Sequence, residues 1–216
     1  MKDNKIKSFI SGITHPKGIV KKLTRVIAAE KFKDDERFLI EHQGFAQLAE
    51  IAEQHQLTGK VNGILLDLGV SSMQLSSPER GFSFKYNSPL DMRMNKRGEK
   101  AYDLINSVNE SSLADIIFRY GEERKSRKIA KEIVKKRKVK KISTTSELSE
   151  IITSVVRFKQ SKIHPATKTF QAIRIHINNE LEHLTVALEQ ASNLLHQNHG
   201  PYQHMPEYSR HHQHKS

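Results

Sequence analysis

The chain has 216 residues, 36% of them hydrophobic and 28% charged, with a formal net charge of +12. That length fits one ordinary domain, or one domain with an inserted cap, around a modest core. No apolar run reaches the roughly 20 residues that span a bilayer, and the absence of cysteine excludes disulfide scaffolds, thiol catalysis and cysteine-ligated metal.

Met1 to Lys22 is basic and weakly patterned, without the apolar centre of a secretory leader, so a cytoplasmic location is expected. Thr24 to Glu30 reads as a short strand or a helix fragment. Phe45, Leu48, Ala49 and Ile51 have helical spacing within 45–54. Gly63-Ile-Leu-Leu-Asp-Leu-Gly-Val70 is a short apolar run closed by a carboxylate and a glycine, which predicts a buried parallel strand ending in a turn. Arg80 to Arg97 lacks apolar periodicity and reads as loop. Leu113, Ile116, Ile117 and Tyr120 predict an amphipathic helix, and Ile129, Ala130, Ile133 and Val134 predict a second, basic one. Thr144-Thr-Ser-Glu147 is a capping box opening a helix with Leu148, Ile151, Ile152 and Val155. Leu181, Leu184, Leu188, Ala191 and Leu195 mark the apolar stripe of a last helix. From His196 to Ser216 six histidines stand among polar residues, which suits a metal-binding tail or, since no ligand spacing recurs, predicts a disordered one without function.

Two features carry chemistry. Between Arg119 and Lys141 stand 12 Lys or Arg against three acids, a density that suits a polyanion, nucleic acid before anionic membrane. Asp67-Leu-Gly-Val-Ser-Ser-Met-Gln74 puts a carboxylate at a strand's carboxyl end, where open α/β sheets bind ligands. Gly69 permits close backbone approach, and Ser71 or Ser72 can cap a following helix. An ordinary strand–turn–helix junction reads the same way.

Five segments stand in one order: Asp67 to Gln74; Glu79-Arg-Gly-Phe-Ser-Phe84; Pro89-Leu-Asp-Met-Arg-Met94; Tyr120-Gly-Glu-Glu123; and His164-Pro-Ala-Thr-Lys-Thr-Phe-Gln-Ala-Ile-Arg-Ile175 with Asn178-Asn-Glu-Leu181. Together they closely resemble the bacterial 16S rRNA cytosine N4-methyltransferase family, also called the MraW family. The resemblance implies an α/β chain: an incomplete Rossmann-like, S-adenosylmethionine-dependent methyltransferase domain with an inserted helical cap. Residues 1–80 would be the first part of that domain, degenerate before about 28. Residues 81–165 would be the substrate-recognition cap, 166–195 the return to the domain, and 196–216 the tail.

The implied activity is methyl transfer from S-adenosylmethionine to the exocyclic amine of a cytidine in the decoding centre of 16S rRNA. The partner is then the small ribosomal subunit, with no membrane involved. By resemblance, His15, Phe45, Asp67 and Gln74 bind the cofactor, and Asp67, Ser71 and Asp91 serve the reaction. Arg80, Asp91 and Arg93 build the target-base pocket, or Asp91 and Arg93 form an internal salt bridge. Lys135, Lys136, Arg137 and Lys138 neutralise RNA backbone. Arg174 and Asn178 to Glu180 open the last helix and tie cap to core, and Tyr120 to Glu123 is a capped helix end.

The chain departs from the family pattern at both ends. In Gly12-Ile-Thr-His-Pro-Lys-Gly-Ile-Val20, Ile13 and Thr14 stand where the family has two glycines. Branched residues resist the positive-φ conformations that glycine supplies. Arg25-Val-Ile-Ala28 runs directly into Ala29-Glu-Lys-Phe32, so the stretch that should contain the family's ribose-binding acid is expected to be missing. Nothing after His196 matches the family's closing strand. A chain degenerate at both ends is expected, with methyl transfer impaired or lost. The alternative is a non-catalytic RNA-binding remnant or an inactive product.

Overall fold

Leu113, Ile117, Ile129 and Ile133 are all 0% exposed, and they are the apolar stripes of two helices packed face to face. In the computed structural model, residues 8–11, 34, 38–41, 43–61, 63–66, 68–70, 72–156 and 163–195 are described. Strands β1 (Ser8–Ser11) and β2 (Phe38–Glu41) pair in parallel, with Ser11 opposite Glu41. A one-turn 3₁₀ segment (Phe45–Gln47) leads into α1 (Leu48–Gln54). Then come α2 (Ser72–Leu75), a 3₁₀ turn (Pro78–Arg80), α3 (Ala101–Ser107) and α4 (Glu110–Gly121). The chain continues through α5 (Ser126–Arg137), α6 (Thr145–Val155), α7 (Thr167–Ile177) and α8 (Glu180–Leu194).

Local chemistry starts and stops these helices where the sequence says it should. The Asn109 side chain accepts from Ser112 N at 2.8 Å to open α4, and Glu122 closes it in the left-handed region at φ 51°. The Thr144–Glu147 box is formed, with Glu147 N on Thr144 Oγ1 at 3.3 Å and Thr144 N on Glu147 Oε2 at 3.1 Å. Lys140 and the Ser143 amide also bond this carboxylate and hold its pKa below the usual value.

The main core joins α3, α4, α5, α6 and α7 with the loop that carries Phe82, Leu90, Met92 and Met94. At Gly121 the backbones of α4 and α7 nearly touch: an added Cβ would lie 2.4 Å from the Lys168 carbonyl oxygen. A second, smaller cluster joins Leu48 and Ala52 of α1 to Ala191 and Leu194 of α8.

Three expectations need correction. Residues 63–66 and 68–70 form no strand, and Leu65 is 91% exposed. An apolar run becomes a strand only beside a partner strand. The one sheet among the described residues is the β1–β2 pair, and Val61 makes only an isolated bridge to Leu195. The last helix buries a stripe turned from the expected one, with Ala191 common to both. Ala187, Ala191 and Leu194 are buried, while Leu181 and Leu188 are about half exposed, at 48% and 54%. Small residues let α8 lie close to α1, and the leucines flank that contact. Arg174 belongs to the last turn of α7, and Asn179, left-handed at φ 48°, breaks the chain before α8 begins. The expectations for 24–30 and for the tail lie outside the described residues. No helix among the described residues is long and apolar enough to cross a membrane.

Candidate active site

Leu90, Met92 and Met94 are buried while Asp91 and Arg93 remain half-buried, so the alternation of Pro89-Leu-Asp-Met-Arg-Met94 sends the two charged side chains to one face. There they pair. Arg93 Nε donates to Asp91 Oδ1 and Nη2 to Oδ2, both at 2.8 Å, and Arg93 N also reaches Oδ1 at 3.0 Å. Burial pushes the Asp91 carboxyl up, but the Arg93 hydrogen bonds and charge outweigh it and hold the group below its usual value. The carboxylate therefore stays ionised. It has about four acceptor positions, and Arg93 takes three of them.

Arg80, expected to face the target base, is turned inward and 6% exposed. Its Nη2 donates to the carbonyls of Arg93 and Met94, and its guanidinium lies 5.5 Å from the centroid of the Phe82 ring. Burial lowers its pKa, with the neighbouring Asp91 and Glu79 charges opposing. Gly81, which follows, has φ 65°, and an added Cβ would meet the Pro89 carbonyl oxygen at 2.1 Å. This close crossing lets the 78–82 turn hold the loop.

The loop is fastened from the other side by Asn178. Its Oδ1 accepts from Met94 N at 2.6 Å, and its Nδ2 donates to the carbonyl of Met92 at 2.9 Å and to that of Arg174 at 2.8 Å. Met92 between them is fully buried with φ 57°, a conformation that non-glycine residues avoid. Such a residue persists only where its surroundings overdetermine it, and strain of this kind recurs at functional sites. Arg174 is clamped to Glu180 through two bonds, Nε–Oε1 at 2.8 Å and Nη2–Oε2 at 3.1 Å. Gly69, at φ 95°, sits against this pair: a Cβ there would be 4.0 Å from Arg174 Nη2. The 68–70 turn, the α7–α8 junction and the 91–94 loop thus meet.

Of the other expected residues, Gln74 is 7% exposed on α2. Phe45 is also 7% exposed, with the His183 ring edge-on at 6.2 Å. Gln190 of α8 holds the Phe45 turn by accepting from Ala49 N at 2.9 Å and donating to the Ala46 carbonyl at 3.0 Å. His15, Asp67 and Ser71 lie outside the described residues.

On the basic surface, Lys135, Lys136 and Lys138 are exposed. Arg137 is not available with them: Nη1 donates to the Ile105 carbonyl at 2.6 Å and Nη2 to that of Val108. It satisfies carbonyls at the end of α3, and its inward turn is a correction to the expected RNA face. Asn178, expected to tie cap to core, does so through Met92 and Met94, whereas sequence reasoning missed the Gln190 clamp.

The model of the MraW methylase family matches residues 18–200. The chain is 49% identical over 170 residues to "Ribosomal RNA small subunit methyltransferase H" of Caldicellulosiruptor saccharolyticus, covering 78% of this chain and 55% of that protein. The like-named protein of Thioalkalivibrio sulfidiphilus is 47% identical over 169 residues, covering 78% and 54%. That of Rickettsia bellii is 54% identical over 136 residues, covering 63% and 45%. The chain spans about half the length of the curated relatives it matches.

Proposed function

The chain belongs to the MraW methylase family, and from that premise we propose that it acts on small-subunit ribosomal RNA, transferring a methyl group from S-adenosylmethionine to N4 of a decoding-centre cytidine. The reading takes residues 1–80 and 166–195 as an incomplete Rossmann-like methyltransferase domain and 81–165 as its inserted cap. The observation that carries it is the meeting of the 68–70 turn, the Arg174–Glu180 pair and the strained 91–94 loop.

The donor set suits the cofactor. The 41–45 segment brings acceptor oxygens for hydroxyl groups, the carboxylate of Glu41 and the amide oxygen of Gln43, together with the Phe45 ring. The Gln43 Oε1 atom is buried without a hydrogen-bond partner, which suits a ligand donor. Phe45, Gln74 and, outside the described residues, His15 and Asp67 would hold the group. Bound S-adenosylmethionine supplies an electrophilic methyl on a sulfonium. Cytosine N4 is a weak nucleophile, because its lone pair is delocalised into the ring. The protein's task is therefore to align the amine. Asp91, kept ionised with one acceptor position unfilled by Arg93, accepts an amine proton in this reading; Asp67 and Ser71, outside the described residues, are the other candidates for that role. Arg80 and Asn178 keep that loop in place. Lys135, Lys136 and Lys138 neutralise phosphates of the RNA strand.

The test is incubation of the purified chain with methyl-labelled S-adenosylmethionine and small subunits lacking the modification, followed by nucleoside mass spectrometry. N4-methylcytidine is expected, and labelled subunits with no such nucleoside would sink the reading. Ile13 and Thr14 favour a second outcome, RNA binding with impaired transfer. A chain carrying Ile13→Gly and Thr14→Gly should then bind S-adenosylmethionine more tightly by about tenfold, equivalent to about 1.4 kcal/mol. Calorimetry on the two chains measures this, and equal affinities would refute it.

A further inference from the structure

A phenylalanine ring is costly to leave in water. Phe45, Phe82 and Phe170 are buried, and Phe84 is half-buried with its ring stacked on His164 at 4.4 Å between centroids. Phe118 of α4 is 59% exposed. The core does not call for it, because Leu113, Ala114, Ile117 and Gly121 already form the inward face of that helix.

The place of this ring on the surface is particular. Asp115, one turn earlier on α4, meets Arg127 of α5 at 3.4 Å, with the two side chains 64% and 75% exposed. Residues 122–125 turn the chain back from α4 into α5. Phe118 therefore stands between that ion pair and the turn, on the border of the basic surface. Arg119, Arg124, Arg127 and Lys128 around it are exposed. From Arg119 to Lys128 five Lys or Arg stand against two acids, of which Glu123 is buried. Tyr120, the other ring of this turn, is engaged within the fold: Arg119 lies 5.8 Å from its centroid and the His176 ring of α7 lies 5.9 Å away.

An open aromatic ring among cations is the arrangement by which proteins hold single-stranded nucleic acid, with cations along the phosphates and rings under the bases. The paired, stacked bases of a duplex offer no free face to such a ring, so its occupant is an unpaired base. We propose that Phe118 is a stacking platform for an unpaired base of the RNA whose phosphates the α5 lysines neutralise. The inference rests on the RNA-binding reading above and deepens it from charge to a ring contact.

Stacking releases no counterions, whereas every phosphate contact does. The two contributions therefore separate in a salt series. The experiment is fluorescence anisotropy of the full chain with a single-stranded RNA of about 12 nucleotides and with the duplex of the same sequence. The parent, Phe118→Ala and Phe118→Tyr are each measured at several salt concentrations, with melting curves to show that all three fold. Phe118→Ala should bind the single strand about tenfold more weakly, with the slope of log affinity against log salt unchanged and duplex affinity unchanged. Phe118→Tyr keeps the ring and should keep the parental affinity. Parental single-strand affinity in Phe118→Ala overturns the platform and leaves the RNA reading standing. Equal weakening toward single strand and duplex, or a flattened slope, also overturns it. A parent that binds neither RNA overturns both readings. Sedimentation of the parent and Phe118→Ala tests the rival occupant: a dimer that the substitution dissolves, with RNA affinity unchanged, assigns the ring to a second copy of the chain and overturns the proposal.

Discussion

Asp91 shows how a single side chain can answer two readings of a motif. Its carboxylate is both the internal partner of Arg93 and, through its remaining acceptor position, the candidate contact for a substrate amine. Replacing Asp91 with Asn removes the paired charge and leaves Arg80 and Arg93 facing each other without their shared anion. A cost of about 2 kcal/mol is expected, read as a shift of the urea midpoint. The sign of its pH dependence follows from the lowered carboxyl pKa. The contribution is fully present above the ordinary carboxylate value near pH ~4 and is lost as pH falls through the lower folded value. The stability gap between parent and Asp91→Asn should therefore close in acid, and a gap that widens there would contradict the pairing. The residue types at this site were legible in the motifs. Asn178 was legible as a tie between cap and core, but its partners were not, because it meets Met92 and Met94 across 86 and 84 residues of chain. No periodicity reports so distant a pairing.

Among the elements, those with a wide apolar stripe and a polar back were readable in advance. Helices α4, α5 and α6 each repeat aliphatic residues every three or four positions, and each buries that stripe. Helix α3 escaped notice because its seven residues hold too few turns to show a period. Helix α8 was found with its stripe turned from the buried one, Ala191 being common to both, since leucines signal burial more strongly than the alanines that permit close approach. The apolar run 63–70 misled for a related reason: hydrophobicity marks a segment that wants cover, not the strand that would pair with it. Gly121 sets propensity against packing. Alanine is favoured over glycine inside a helix by about 1 kcal/mol, yet the new Cβ would press on the Lys168 carbonyl at 2.4 Å. Gly121→Ala should therefore destabilise the chain by about 1–3 kcal/mol, measured by urea denaturation, and a stabilised variant would show that α4 and α7 can separate without cost.

For the molecule as a whole, the excess positive charge is concentrated on one helix and the turn after it. Arg124, Lys128, Lys131, Lys135 and Lys138 are all exposed and recur every three or four residues on the solvent side of α5 and its flanks. Replacing Lys135, Lys136 and Lys138 with alanine, while keeping Arg137 for its carbonyls, should weaken RNA binding. For every phosphate no longer neutralised, the slope of log affinity against log salt should flatten by roughly 0.7–0.9. An unchanged slope in filter binding would mean that this surface meets no RNA. The fold also has two apolar clusters of very different size, linked where α7 gives way to α8 at Asn178 and Asn179. That disparity has a consequence in time rather than in energy alone. Amides of α1, resting on the small cluster, should trade their hydrogens for deuterium through local openings long before those of α4 and α5. The Met94 amide, tied to Asn178, should exchange no faster than the α7–α8 junction opens. The nucleoside end of the proposed site would then breathe continually while the 91–94 loop stays shut.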